Sequence, residues 1–391
     1  MKKIAILVFF TVGFFVHVWA CTGLIAGKQA TVDGSVLVTY SADSHTLYGA
    51  LTSSPAADWP KGSMRSIVEW DTNKPLGEIE QVEHTYAVIG NMNEHQLTVV
   101  ESTWGGRPEL VDTTGIIDYG SLMQLALERA KTAREAIKVM TGLVKKYGYY
   151  SSGESFTIAD PNEIWIMEMI GKGPGVRGAV WVAVRIPDDC IAGHANYPRI
   201  HKIPMDDKEN CLYSPDVISF AREMGYFDGL NKDFSFARAY SPADFGALRA
   251  CDARVWSFFC KYDSTMDNYL PYVNGESAEP FPLYVKPSRK LSVQDMKEAM
   301  RDHFEDTPFD MTQDVGAGPF KVPYRFRPMS FEVDGKSYCM ERAIATQQTG
   351  FTLVGQMRNW LPDPVGGVLW FGVDDANTCV YIPMYCGITQ V

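Results

Sequence analysis

The sequence predicts an α+β protein in which sheet and helix layers stack into one large domain. Three observations carry that expectation. Apolar runs punctuated by Gly, Asp, Asn and Pro read as strands, and well-capped helical stretches lie between them. The order is strands, helices, strands, helices, strands, with no Pro-, Gly- or Ser-rich linker and no internal repeat to divide the chain.

The first strands are expected at Leu24–Ala26, Val36–Tyr40, Tyr86–Gly90 and Leu97–Glu101, with Asp33-Gly34 as a hairpin signal between the first two. A helical pair follows. Leu122, Leu125 and Ala126 mark one helix, while Thr132 and Glu135 form a capping box for the next, which Gly148 ends. Strands resume at Phe156–Ala159, Ile164–Ile170 and Val180–Val184, the first two joined by the turn Asp160-Pro161-Asn162. Ser214-Pro215 opens a helix running to Gly225, Ser241-Pro242 with Asp244 opens one toward Cys260, and Ser292 with Asp295 opens one ending near Phe304. The last quarter returns to strands at Phe351–Val354, Val368–Phe371 and Val380–Ile382.

The 391 residues are 46% hydrophobic and 21% charged, which excludes a disordered or fibrous chain. A net charge of −11 argues against nucleic acid or an anionic membrane surface as a partner. The amino-terminal twenty residues read as a signal peptide. Lys2 and Lys3 precede an apolar run, Ile4–Val16, and Val18 and Ala20 supply the −3 and −1 residues of a cut before Cys21. That run is too short for a membrane span, and no second long one follows, so the remainder (residues 21–391) is expected to be exported to the periplasm or beyond, without a transmembrane segment.

Such a cut leaves Cys21 first, and two readings of it compete. In one, Cys21 is a lipoprotein attachment site; bulky Trp19 and Val18 in the leader argue against this. In the other, Cys21 carries both a thiol and a free α-amine, which titrates at about 7.7–8.0 and can take the thiol proton. One residue then holds nucleophile and general base. Acylating the amine would destroy the base, so the readings exclude each other.

Other chemistries find little footing. There is no H-E-x-x-H zinc motif and no G-x-S-x-G elbow, so neither a metal nor any other cofactor is expected. His45, His194 and His201 can reach Cys21 only through the fold; each also reads as an ordinary surface or hydrogen-bonded histidine. Cys190, Cys211, Cys251, Cys260, Cys339, Cys379 and Cys386 form an odd set. Cys190–Cys211 and Cys379–Cys386 are candidate local bridges, with buried free thiols as the equal alternative.

Several blocks together resemble a known family. Cys21-Thr22, Asp33-Gly34-Ser35 and Ala42-Asp43-Ser44 open the series; Gly90–His95 leading to Glu101-Ser102-Thr103 continues it. Leu125–Ala136, Gly153–Asp160, Trp181–Asp188, Met300–Met311, Thr346–Gly350 and Leu361–Asp374 complete it in order. The chain resembles the dipeptidase A and secernin family of N-terminal-nucleophile (Ntn) cysteine hydrolases over essentially everything after residue 20.

The resemblance implies a four-layer αββα sandwich with the catalytic Cys at the end of a central strand. It implies metal-free hydrolysis of short peptides, chiefly dipeptides. By likeness to penicillin V acylases and bile salt hydrolases, Asp43 matches the acid that contacts the α-amine. Asn93 is the better match to an oxyanion donor, with Asn91 the near alternative, and Asn196 matches a second Asn. Arg254 is a candidate for a late Arg. Tyr40 stands where those relatives have an Arg, which leaves the proton-handling partner of Cys21 open. Two alternatives remain at this stage: an Ntn amidase or acylase acting on another linear amide, such as an N-acyl amino acid or bile-salt conjugate, and a lipidated, non-catalytic surface protein. Nothing in the sequence decides between a monomer and a homo-oligomer.

Overall fold

The structure is a computed structural model and describes residues 21–44, 49–325 and 330–389. The leader segment, His45 and the Cys339 side chain lie outside the described residues. In chain order the sheet strands begin with β1 (Gly23–Ala26), β2 (Val36–Asp43), β3 (Ser53–Ser54), β4 (Val88–Ile89), β5 (Met92–Asn93), β6 (Thr98–Trp104), β7 (Gly153–Ala159) and β8 (Ile164–Gly171). They continue with β9 (Ala179–Ile186), β10 (Ile191–His194), β11 (Cys211–Tyr213), β12 (Tyr284–Val285), β13 (Thr349–Met357), β14 (Val368–Val373) and β15 (Ile382–Tyr385). The helices that matter most here are α1 (Tyr119–Arg129), α2 (Ala133–Tyr147), α3 (Ala253–Cys260) and α4 (Val293–Ala299).

These strands form two antiparallel sheets, one of seven in the order β12-β10-β1-β2-β13-β14-β15 and one of eight in the order β11-β9-β8-β7-β6-β5-β4-β3. The two-residue period of a strand sends neighbouring side chains to opposite faces, and the core divides accordingly. Ile25, Val38, Val100, Ile166 and Leu353, from both sheets, share one buried cluster. Leu24, Leu37 and Val354 join Trp256, Phe259 and Met296 of α3 and α4 in a second. Val99, Phe156 and Met167 join Leu125, Ile137 and Met140 of α1 and α2 in a third. The fold is α+β, as the sequence predicts.

Local expectations fare unevenly. Thr132 caps α2 by accepting the Glu135 amide, but the Glu135 carboxylate takes the Lys131 amide, so the box is half formed; Gly148 ends the helix at φ +81°. The Ser292–Asp295 box is complete. Past Ser214-Pro215 the chain turns before a short helix at Ser219–Glu223. The stretch toward Cys260 begins as a π-helical turn, Ala247–Asp252, that runs directly into α3.

Neither local disulfide forms: Cys190, Cys211, Cys379 and Cys386 are free thiols. The physical reason is placement. Cys211 belongs to the eight-stranded sheet, whereas Cys190 leads into the seven-stranded one. Cys386 Sγ turns to the Asp363 carbonyl, 2.8 Å away, and Cys379 Sγ faces the Ala376 carbonyl.

One polar connection between the sheets bears directly on the site. The His194 ring lies between them, with Nδ1 2.7 Å from Ser102 Oγ and Nε2 2.8 Å from Thr157 Oγ1. Burial first, then the nearby Arg254 and Arg199 charges, pull His194 down to about 3, so it is neutral. Gly23 lies against this ring: a Cβ there would come within 2.8 Å of it, which only glycine avoids.

Candidate active site

Cys21 sits just ahead of β1, where Thr22 pairs with Ser41 of β2 through two backbone hydrogen bonds of 3.0 and 3.3 Å. Its residue exposure is 5%. Burial, followed by the Glu101 and Asp43 carboxylates, pushes the thiol well above its ordinary value. A sulfur in that setting stays protonated at neutral pH until a base removes its proton.

Two groups of side chains flank it. On one side Arg254, at the start of α3, acts as a clamp. Its Nη1 donates to the Cys21 carbonyl at 2.9 Å and to Thr22 Oγ1 at 2.7 Å, while Nη2 donates to the Ala195 carbonyl at 3.0 Å and to Asn196 Oδ1 at 2.7 Å. Burial and the like charge of Arg342 draw Arg254 down to about 10, which leaves it cationic. Asn196, held at φ +59°, donates Nδ2 to the Thr103 carbonyl at 2.6 Å, and its backbone amide to Ser102 Oγ at 3.2 Å. Asp43, at the end of β2, is paired with the Arg342 guanidinium and accepts from Thr349 Oγ1 at 2.6 Å.

On the other side stand carboxylic acids. Tyr40 Oη lies 3.6 Å from Cys21 Sγ and donates to Glu101 Oε1 at 2.5 Å. Thr103 Oγ1 donates to Glu154 Oε1 at 2.7 Å and reaches Glu101 Oε2 at 3.5 Å. Burial raises both carboxyls, and the neighbouring Glu101 charge raises Glu154 further. Beyond them Tyr119 Oη donates to Asp71 Oδ1 at 2.8 Å at the protein surface.

The fold therefore brings together Cys21, Asp43, Asn196 and Arg254, but Asn93 needs correction as an oxyanion donor. Its Nδ2 gives both protons to the Leu127 and Ala130 carbonyls at the end of α1, 2.8 Å each, and its Oδ1 accepts the His95 and Leu97 amides. That amide has no proton left to offer. Asn91 Nδ2 donates to the Val99 carbonyl at 2.9 Å and serves the same turn. His194 is held by Ser102 and Thr157, and His201 Nδ1 faces Ser235 Oγ at 3.1 Å.

Sequence reasoning assigned no role to Arg342, Thr349, Glu101 or Glu154. The acids left a readable signal, being charged residues inside apolar strand runs whose neighbours are buried. Arg342 left none, since its partner Asp43 is 299 positions away in the chain. Among the described residues no group of three or more His, Cys, Asp or Glu side chains is arranged to hold a metal ion.

The sequence profile of Peptidase family C69 matches residues 20–391. The chain belongs to peptidase family C69. Curated relatives of the chain include a probable dipeptidase of Salmonella dublin, 27% identical over 94% of this chain and 81% of the relative. A probable dipeptidase of Latilactobacillus sakei is 25% identical over 94% of this chain and 74% of its own length. Dipeptidase A of Lactobacillus helveticus is 25% identical, with 94% of this chain and 76% of the relative covered. The C69 match begins one residue before Cys21 and so takes in every group of this site.

Proposed function

We propose that this C69 chain is an exported cysteine dipeptidase of the Ntn type, with Cys21 as nucleophile and its own α-amine as general base. The observation that carries the reading is the double hold on Cys21: Arg254 grips its carbonyl while the sulfur faces Tyr40. The names of the curated relatives supply the substrate class. The two sheets with helices packed on both outer faces support the αββα reading of residues 21–391.

The raised thiol explains why a base is needed, and in this reading the amine on the same residue supplies it. In the proposed cycle the thiol proton passes to the α-amine and the sulfur bonds to the substrate carbonyl carbon. The tetrahedral oxyanion is met by the Asn196 amide together with a backbone N–H, donors each worth about 3 kcal/mol of barrier. The C–N bond then breaks, and the leaving amine takes the proton back from the α-ammonium. Water, deprotonated by the same amine, cleaves the thioester and restores the thiol. Asp43, fixed by Arg342 and Thr349, orients the amine and favours its charged form.

The test is Cys21→Ala in the processed protein, assayed on a dipeptide panel. Loss of about a thousandfold or more in kcat is expected, because residues that act as a unit fail together. Undiminished turnover, or a mature chain whose first residue is not Cys21 with an unblocked amine, would refute the reading. No helix among the described residues is long and apolar enough to cross a membrane.

A further inference from the structure

The acids beside Cys21 lack the opposite charge that Asp43 and Asp252 each have. Glu101 and Thr103 project from the same face of β6, and Glu154 stands opposite Thr103 on β7. Glu154 is 0% exposed. Its Oε1 accepts from Thr103, but its Oε2, also buried, receives no donor from any described residue. What adjoins it is the Glu101 carboxyl, with which Glu154 shares a proton while no cation is present. Among the described residues no Lys, Arg or His nitrogen comes within 4.0 Å of either carboxyl.

Two adjoining buried carboxyls cannot both ionise unless a cation joins them. A primary ammonium, with three donors on one charged nitrogen, answers both Glu154 Oε2 and Glu101 at once. A divalent metal is a poorer match, because a third ligand is missing. The distance to chemistry is short, since Glu101 touches Tyr40 and Tyr40 touches the Cys21 sulfur.

We infer that Glu154 and Glu101 bind the free α-ammonium of the substrate's first residue, so that the site takes dipeptides with an unblocked amino terminus and rejects N-acylated amides. The inference rests on Cys21 being the nucleophile and names the part of the substrate that is recognised. Empty, the pair shares protons; the arriving ammonium lets both oxygens serve as acceptors and displaces a proton to solvent.

The experiment compares alanyl-leucine with N-acetylalanyl-leucine on the processed full-length chain, as wild type, Glu154→Gln and Glu154→Asp. The wild type should favour the free dipeptide by about 100-fold or more in kcat/KM, the scale of losing a charge pair. Glu154→Gln should raise KM for alanyl-leucine by about 30-fold with little change in kcat, and Glu154→Asp should recover part of it. Iodoacetamide should alkylate Cys21 at the wild-type rate in both variants. Equal turnover of the two substrates by wild type, or an unchanged KM in Glu154→Gln, overturns the inference. So does an equal loss on both substrates, which would assign the pair to Cys21's own amine. Should the variants not fold, competitive inhibition of the wild type decides: alaninamide should inhibit and N-acetylalaninamide should not, and equal inhibition overturns it. Activity surviving in Cys21→Ala would sink the nucleophile reading instead, whatever the substrate preference.

Discussion

The two flanks of Cys21 are built on opposite electrostatic plans. On the arginine flank each charge has a partner: Arg342 meets Asp43, Arg199 meets Asp252, and Arg254 is surrounded by four protein acceptors besides its own turn. On the acid flank Glu101 and Glu154 have hydroxyls and each other but no cation. Matched charges fix geometry, since neither member can move without stranding the other. Adjoining buried acids with no cation keep protons instead, and so retain the capacity to exchange one for a cation. On the proposed reading, one flank holds Cys21 still and the other receives the substrate.

Arg342→Ala is the strongest way to break this contrast, because it strands Asp43 in a site with 0% side-chain exposure. A stability loss of about 3–5 kcal/mol is expected from removing one partner of a buried pair. Denaturant unfolding measures it, and a loss below about 1 kcal/mol would mean that Asp43 is not held as described.

The pH dependence of stability sharpens the arginine flank next. Glu168 accepts the Ile200 amide at 3.1 Å and also the Arg199 amide, and burial raises its carboxyl to about 8 from an ordinary 4.5. The folded state therefore holds a proton that the unfolded state has lost between these values. This contribution is fully present below about 4.5 and disappears as pH rises through 8, a swing of about 2–3 kcal/mol after relaxation. Unfolding at pH 5 and pH 8 should show the decline in wild type and a flatter profile in Glu168→Gln; identical slopes would exclude Glu168 as its source.

Tyr40→Phe probes the acid flank with a smaller effect. It removes the hydrogen bond to Glu101 and the polar contact with the sulfur, at a cost of about 1–2 kcal/mol, or roughly tenfold in kcat. Steady-state rates on a dipeptide measure it. Unchanged kcat would leave Tyr40 a packing residue against Phe351, whose ring centroid is 5.7 Å away.

How much of this was legible in the sequence differs between fold and site. Strands such as Ile164–Gly171 announce themselves by apolar runs, here interrupted only by Glu168, and α2 by its cap and its terminal glycine, because those signals are local. The π-helical turn before α3 has no such signal, yet it leads directly into Arg254. In the site, Cys21 was reachable from the cut expected ahead of it, and Asp43, Asn196 and Arg254 only through family resemblance. Asn93 misled because a motif records which residue is present, not which carbonyls already occupy its amide. Arg342 was invisible for want of any periodic or neighbouring cue, whereas an acid amid Val99, Val100 and Trp104 was a clue that could have been read.

The Arg254 contact with Cys21 has one more consequence. The guanidinium grips the oxygen of that residue and leaves its nitrogen untouched among the described contacts. Severing whatever is attached upstream would then liberate a basic group without loosening the grip beneath it. If Cys21 is the first residue of the mature chain, as proposed, maturation is a change of proton affinity at a seat already occupied.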